Sequence, residues 1–195
     1  MVTRFHRSAV LKEIWCASFE EASVYENLAA HPEVINLEEQ LTRVDFVNLN
    51  GEKTHTRVDA TVLLKDASEI LFSVKYDEKS RRTSYLAEIA NVARQCSSNV
   101  ADRFVVGSRY AFHPIYRKCA EQIHLARRGW DPEADRIVCY AAFDLGDEFT
   151  FASLIEKTQL SHRGWRAAVR VIADGDIQKD LLAPFAENIV CRRAV

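Results

Sequence analysis

The stretch EILFSVKY, residues 69–76, decides the fold that we predict for this chain. It gathers isoleucine, leucine, phenylalanine, valine and tyrosine into one short run, as a mostly buried β-strand does. A helical pattern follows over residues 83–98, and a short apolar run, RFVV, follows over 103–106. A strand, a helix and another strand in this order predict a right-handed crossover onto a mixed sheet.

The residues before this strand predict one helix and two further strands. A serine three residues ahead of a glutamate forms a capping box at the start of a helix over 18–30, which a His-Pro pair ends. Extended segments over 34–47 and 54–64 follow, separated by the turn-forming sequence NLNG. Residues 34–76 are therefore predicted to form a three-stranded antiparallel meander behind a first helix.

The pattern changes in the second half of the chain. Short helices are expected over 149–158 and 163–173, ahead of a segment that can pair as two strands. Two helices followed by a hairpin are typical of a small winged-helix module. We therefore predict an α/β core over residues 1–128, a linker over 129–147 and a winged-helix-like C-terminal domain over 148–195.

The composition is typical of a globular protein. Of the 195 residues, 48% are hydrophobic and 28% are charged, which excludes disorder and low-complexity fibres. We expect no membrane partner, because no apolar stretch is long enough to cross a bilayer and the charged N-terminus lacks the apolar core of a secretory signal. Five scattered cysteines without a C-x-x-C pair argue against structural zinc and a disulfide framework. These features favour a cytoplasmic location.

Charge is unevenly distributed along the chain. The formal net charge is −2, yet residues 1–74 have a net charge of −5 and residues 75–128 have a net charge of +6. An acidic segment before a basic one suits a site that collects cations beside a surface that meets phosphates. Ordinary variation between segments produces the same pattern, so charge alone does not decide between these interpretations.

The residues most informative about chemistry lie on the last two strands of the predicted meander. Ser73 and Lys75 share one face of a strand because side chains alternate along it. If the hairpin aligns them with Asp59, a carboxylate and a lysine meet at one end of the sheet, where Glu21 can join them from the first helix. Two carboxylates can hold Mg²⁺, and a lysine can orient the attacking water and stabilise phosphate charge. This arrangement is suited to hydrolysis of a phosphodiester.

These residues also resemble a known nuclease signature. Asp59 followed by Ser73-Val74-Lys75 is similar to the PD-(D/E)xK motif, with serine where an acidic residue usually stands. A wider series of matches resembles the TnsA family, the endonuclease subunits of heteromeric transposases, over nearly the whole chain. The series comprises Ser18-x-x-Glu21, Pro32-x-Val34, Glu39-Gln40, Asp59, Ser73-Val74-Lys75 and Phe104-Val105-Val106.

The resemblance implies a fold and a function. The fold is a restriction-endonuclease-like mixed β-sheet core flanked by helices, followed by the winged segment. The function is that of a Mg²⁺-dependent DNA endonuclease that cuts at transposon ends, with Mn²⁺ able to substitute for Mg²⁺. Its partners are DNA, a TnsB-like transposase and a TnsC-like AAA+ ATPase.

The resemblance also implies a set of site residues. A helix glutamate, a strand aspartate and a lysine form the catalytic triad of the family, which assigns these roles to Glu21, Asp59 and Lys75. Because serine supplies no negative charge, metal coordination is expected from the two carboxylates and the Val74 carbonyl. Ser73 and Gln40 are assigned supporting positions.

Basic residues offer two candidate phosphate-binding surfaces. Lys79, Arg81 and Arg82 directly follow the strand that ends in the lysine, where they can clamp phosphates, although such a loop is also often merely solvated. Three arginines of the last predicted helix are spaced three and four apart and share one face, which suits DNA, a protein partner or solvent equally. They are Arg163, Arg166 and Arg170.

Each site residue also has a structural interpretation. Glu21 fits a capping box, with Glu20 as the alternative ligand, while Asp59 fits a surface ion pair and Lys75 a solvated strand end. Two other functions therefore stay open. One is an adaptor that binds DNA or a transposase with weakened cleavage, motivated by Ser73, and the other is a stand-alone restriction or repair nuclease.

Overall fold

The computed structural model describes residues 2–7, 10–39, 42–76, 78, 82–96 and 100–194. The described part of the chain is a mixed α/β protein with six α-helices and a four-stranded mixed sheet. It divides into two compact units, which we call the N-terminal unit and the C-terminal unit. The N-terminal unit comprises chiefly Glu13–Ala29 and Val34–Ala111, and the C-terminal unit comprises chiefly Phe112–Val195.

The chain begins with two strands that the sequence patterns did not predict. These strands, β1 (Val2–Arg7) and β2 (Val10–Trp15), pair as a two-stranded sheet. Helix α1 (Phe19–Ala30) follows close to its predicted bounds, so that prediction is confirmed. The Ser18 hydroxyl accepts the Glu21 amide at 3.2 Å, which caps one of the free amides of the first turn.

The central sheet of the N-terminal unit contains β3 (Val34–Glu39), β6 (Ala60–Leu64), β7 (Glu69–Val74) and β8 (Arg103–Gly107), in the order β3-β6-β7-β8. Its first three strands are antiparallel neighbours, and β8 is parallel to β7. Helix α2 (Thr83–Gln95) lies between β7 and β8 in the chain, as a parallel pair requires. The predicted meander and the parallel strand after the helix are confirmed.

The first two strands of the predicted meander are each divided in two. Strands β4 (Arg43–Val47) and β5 (Lys53–Arg57) form a separate antiparallel ribbon, which is inserted between β3 and β6 in the chain. Each strand is divided at the point where its backbone stops hydrogen-bonding within the ribbon and starts hydrogen-bonding within the sheet. The Val58 amide donates to Thr42, whereas the next amide, that of Asp59, donates into β7.

One hydrophobic cluster of the N-terminal unit lies between the ribbon, the sheet and α2. Val44 and Phe46 alternate along β4 and are buried with Val58, Leu71 and Val92. Because alternate residues of a strand point to opposite faces, the other face of β4 stays exposed. Burial of the two β4 side chains therefore fixes which side of the ribbon faces solvent.

The C-terminal unit contains four helices and a small sheet. Its three strands are antiparallel, with β11 in the centre, and a cluster of alanine, valine, isoleucine and phenylalanine fills its core. The elements are α3 (Pro114–Arg127), α4 (Pro132–Leu145), β9 (Glu148–Thr150), α5 (Phe151–Thr158), α6 (His162–Asp174), β10 (Ile177–Lys179) and β11 (Val190–Arg193). The two short helices and the strand pair predicted near the C-terminus are confirmed.

The structure differs from the predicted linker over 129–147, because most of that segment is helix α4. The Asp131 carboxylate accepts the Ala134 amide at 3.1 Å, and Pro132 occupies the first helical turn. Val138 and its apolar neighbours on α4 are buried in the core of the C-terminal unit. An aspartate before a proline is a helix start signal, so the sequence contains a marker for this helix inside the segment predicted as a linker.

Candidate active site

A cluster of polar groups lies where β6 begins and β7 ends. The Asp59 Oδ2 atom accepts the Val74 amide at 2.6 Å and the Ser73 hydroxyl at 3.2 Å, and it lies 3.3 Å from the Lys75 ammonium. The Asp59 and Lys75 side chains are 17% and 28% exposed, so both are reachable from solvent. The structure therefore brings together four of the residues singled out in the sequence. We call this set the Asp59 cluster.

The strand register explains why these residues meet. Ala60 lies opposite Phe72 in the β6–β7 ladder, and the Asp59 amide donates to the Phe72 carbonyl at 3.0 Å. Asp59 and Ser73 therefore occupy neighbouring positions beyond this pair. The Lys75 amide extends the parallel ladder by donating to Gly107 at 2.9 Å. Hydrogen bonds of the backbone thus fix the cluster at one edge of the sheet.

The Lys75 ammonium lies between two predicted metal ligands. It is 3.3 Å from Asp59 Oδ2 and donates to the Val74 carbonyl at 2.9 Å. No described residue donates a hydrogen bond to Asp59 Oδ1, so that oxygen is available to a ligand. A cation held by both Asp59 Oδ2 and the Val74 carbonyl would have to displace the ammonium from them.

Helix α1, which carries Glu21, reaches the Asp59 cluster through Tyr25. Tyr25 is fully buried one helical turn after Glu21, and its hydroxyl donates to the Asp59 carbonyl. Burial raises the pKa of Tyr25, and the nearby negative charges of Glu21 and Asp59 raise it further. Glu21 itself accepts the Ala17 amide at 2.9 Å.

Glu20, the alternative ligand, has a different role. It is buried, and Arg109 binds it through both the backbone amide, at 3.2 Å, and the guanidinium Nε, at 3.3 Å. This pair joins the start of α1 to the segment that follows β8. Glu20 is therefore committed to an internal ion pair.

The described residues contain no group of three or more histidine, cysteine, aspartate or glutamate side chains placed to hold a metal ion. Tyr25 donates to the Asp59 carbonyl and lies near the charge of Glu21, and no direct contact between Glu21 and Asp59 is seen among the described residues. Any metal site here would therefore combine carboxylate oxygens with backbone carbonyls or water. Mg²⁺ commonly keeps several waters and uses only one or two carboxylates.

Two tyrosines of the site were not predicted from the sequence. Tyr25 lies four residues after Glu21, and this spacing places both on one helix face. The spacing could therefore have predicted that Tyr25 lies near the site. Tyr85 on α2 has its hydroxyl 3.4 Å from the Ser73 hydroxyl, and burial raises its pKa. No sequence pattern marks Tyr85, because only the packing of α2 on the sheet brings it to the Asp59 cluster.

Of the other predicted site residues, only Arg82 is among the described residues. Gln40, Lys79 and Arg81 lie outside the described residues. Arg82 is exposed and directly precedes α2, where its side chain makes no capping hydrogen bond.

The arginine face of α6 is bound to α4 rather than free. Arg163 donates to Asp131 at 2.8 Å and to Glu133 at 2.9 Å. Arg170 is buried and lies 2.6 Å from Asp135. Two of the three arginines therefore stabilise the C-terminal unit from within, and they are not available to a phosphate without breaking these pairs.

The pairing of Asp131 with Arg163 gives an expected acid dependence of stability. The Arg163 guanidinium and the Ala134 amide lower the pKa of Asp131 to about 2. A lowered pKa stabilises the fold above the unfolded pKa of about 4, and this contribution is lost as the pH falls toward 2. Asp131→Asn, which keeps a good helix cap, should lower the Tm at pH 7 and match wild type near pH 2. Equal Tm differences at both pH values would contradict this role.

Comparisons with known proteins give no assignment: no family model matches the chain, and no curated protein matches it. Among the described helices, none has the length and apolar character needed to cross a bilayer.

Proposed function

We propose that this chain is a metal-dependent DNA endonuclease with a restriction-endonuclease-like core, resembling the TnsA subunits of heteromeric transposases. The observation that carries this proposal is the meeting of the Asp59 carboxylate, the Ser73 hydroxyl and the Lys75 ammonium at one edge of the mixed sheet. In phosphodiester hydrolysis a carboxylate can hold the metal ion, and a lysine beside it can stabilise the charge that develops on the phosphate.

The ligand types in this proposal suit a magnesium ion. Asp59, the Val74 carbonyl and Glu21 supply oxygen atoms, the ligand type that Mg²⁺ prefers, and Asp59 Oδ1 receives no hydrogen bond from the described residues. When bound, the ion would lower the pKa of an attacking water and polarise the phosphate oxygens. Mn²⁺ suits the same oxygen ligands.

The residues around the ion have separate tasks in this proposal. The Ser73 hydroxyl and the Val74 amide hold the Asp59 carboxylate in one orientation through its Oδ2 atom. The Lys75 ammonium, once released from Asp59, orients the attacking water and stabilises the charge that develops on the phosphate. Attack of water on the phosphodiester leaves a 5′-phosphate and a 3′-hydroxyl.

The C-terminal unit supports a partner-binding role in this proposal. Its order of helix, strand, two helices and two strands, with β9 and β10 both paired to β11, resembles a winged-helix domain in which α4 is the first helix. Because Arg163 and Arg170 are bound to α4, we assign this unit to the TnsB-like transposase or the TnsC-like ATPase rather than to DNA.

One observation favours a second candidate, an adaptor with weakened cleavage. Ser73 is neutral where related nuclease motifs carry an acid, and Lys75 occupies both Asp59 Oδ2 and the Val74 carbonyl. A site that holds its own ammonium in this way binds a cation less readily. The two candidates differ in whether the chain nicks transposon-end DNA when Mg²⁺ and its cognate transposase are present.

Metal binding can be measured without any partner. If Asp59 is a ligand, Mg²⁺ or Mn²⁺ should raise the Tm of wild type, because a ligand of the folded state at 100 times its Kd stabilises by about 2.7 kcal/mol. Asp59→Asn should abolish the shift, whereas Asp66→Asn, at an exposed turn at the other end of β6, should keep it. Lys75→Ala should keep or enlarge the shift. An equal shift in Asp59→Asn and wild type would remove Asp59 from the metal site.

A further inference from the structure

We propose that the outer face of the β4–β5 ribbon binds the phosphate backbone of double-stranded DNA. The inference rests on the proposed function for its choice of DNA as partner. Its own support is the charge, rigidity and position of the ribbon, which were not anticipated from the sequence.

The register of the ribbon defines the outer face. Paired residues of an antiparallel ladder lie on the same face, and three cross-strand pairs alternate with the buried residues of β4. They are Arg43 with Arg57, Asp45 with His55, and Val47 with Lys53. Exposure of β4 alternates with burial, and these three positions of each strand are exposed.

The outer face is basic, although the first 74 residues of the chain are acidic overall. It carries Arg43, Lys53 and Arg57 against a single acid, Asp45. Arg43 lies 2.7 Å from Asp45, but both side chains are more than half exposed, so water weakens this pair. Among the described residues, no carboxylate lies within ion-pair distance of Lys53 or Arg57. Charge complementarity therefore favours a polyanion.

The ribbon is held rigidly. The Val47 amide donates to the Gln95 side chain at 2.8 Å, and the Val47 carbonyl accepts from Asn91 at 2.7 Å and from Gln95 at 2.9 Å. At the tip, the Asn48 side chain accepts the amides of Asn50 and Glu52, both at 2.9 Å. A surface that is already ordered loses little conformational entropy on binding.

The position of the ribbon connects it to the Asp59 cluster. Both of its strands join the sheet at the edge that carries the cluster, because β3 ends there and β6 begins there. Arg57 precedes Asp59 by two residues, a span of at most about 7 Å between Cα atoms. A two-stranded ribbon fits the major groove of DNA. A groove of about 490 Å³ along this ribbon is lined by Arg43, Lys53 and His55 together with the acidic Asp45. A duplex placed for cleavage at Asp59 would meet the outer face.

The test compares two charge-matched double variants of the full chain. Lys53→Ala with Arg57→Ala removes one lysine and one arginine from the outer face. Lys65→Ala with Arg103→Ala removes the same charges from the opposite ends of the sheet strands, where β6 ends and β8 begins. Binding to a fluorescein-labelled 30-base-pair duplex is followed by anisotropy in EDTA from about 50 to 300 mM NaCl, which separates binding from metal-dependent chemistry.

The expected result is a change in salt dependence for the ribbon variant only. Each lost phosphate contact reduces the slope of log affinity against log salt by about 0.9, so the ribbon variant should lose about two units of slope. The control should keep the wild-type slope, and both variants should keep the wild-type Tm. Equal slopes for the ribbon variant and wild type, equal losses in both variants, or no binding by wild type would overturn the proposal.

Failure of this inference is distinguishable from failure of the proposed function. A wild-type chain that binds through the ribbon but never nicks DNA with metal and transposase present would refute the nuclease assignment and leave the ribbon surface standing. A chain that nicks normally and binds equally well without Lys53 and Arg57 would refute the ribbon surface alone.

Discussion

Lys75→Ala should lower the rate of transposon-end nicking by about a hundred- to a thousand-fold while leaving DNA binding nearly unchanged. Removal of one preorganised group that stabilises transition-state charge costs about 2.7–4 kcal/mol of activation free energy. In the structure this ammonium is held at the Asp59 cluster, 3.3 Å from Asp59 Oδ2, and its position is fixed by the ladder between β7 and β8. Its loss should therefore remove charge stabilisation at the reacting phosphate without disturbing the sheet.

The measurement is nicking of a plasmid that carries the transposon ends, with Mg²⁺ and the cognate transposase present, together with anisotropy on the same end sequence. Lys65→Ala is the matched control, since this lysine is exposed in the turn after β6. Equal nicking by Lys75→Ala and wild type would show that the assigned site is wrong. Absence of nicking by wild type with a competent transposase would establish the adaptor instead.

Ser73→Glu, measured in the same nicking assay, tests whether the neutral side chain at this position limits cleavage. Ser73 is buried, and its hydroxyl bonds to Asp59 Oδ2, so a glutamate there adds a second carboxylate beside the first. If neutral Ser73 limits metal binding, nicking should increase. A decrease would show that the site is organised around the neutral hydroxyl and around Lys75 as the balancing charge.

The meeting of Asp59 with Lys75 could be predicted because it depends on local rules. The apolar run of β7 marks a buried strand, alternation places Ser73 and Lys75 on one face, and a short turn brings β6 back beside β7. None of these steps needs knowledge of distant contacts. The ribbon could not be predicted in the same way. It separates from the sheet because the Val58 amide bonds to Thr42 while the Asp59 amide bonds to β7, and sequence alone does not show this change of hydrogen-bond partner.

The arginine face of α6 shows what helical periodicity leaves undecided. Spacings of three and four place Arg163, Arg166 and Arg170 together, but periodicity does not say whether the face meets solvent, phosphate or acids. The acids were present in the sequence at 131, 133 and 135, in a segment interpreted as a linker. Recognising the Asp-Pro pair as a helix start would have placed these acids on an element able to pack against α6.

Arg170→Ala should destabilise the C-terminal unit by up to about 3–5 kcal/mol, because it removes the buried partner of an ion pair. Arg170 is 4% exposed and lies 2.6 Å from Asp135. It also donates to the carbonyls of Ala126 and Gly129 at 3.0 and 2.8 Å, at the end of α3 and just beyond it. The variant leaves a partly buried carboxylate and two carbonyls without this donor. Arg163→Ala removes a more exposed pair and should lower the free energy of unfolding by about 1 kcal/mol or less.

Urea unfolding followed by tryptophan fluorescence tests this difference, since Trp130 and Trp165 both lie in the C-terminal unit. Burial already raises the pKa of Asp135, and Arg170 opposes that rise. Without the arginine, the folded protein should favour protonated Asp135 more strongly. The difference in unfolding free energy between wild type and Arg170→Ala should therefore shrink as the pH falls from 7 toward 5. Arg170→Met combined with Asp135→Leu should recover much of the loss, because a well-packed apolar pair can replace a buried ion pair. Equal, small losses in Arg170→Ala and Arg163→Ala would show that α6 is not anchored through Asp135, and would return its arginines to consideration as a surface for DNA.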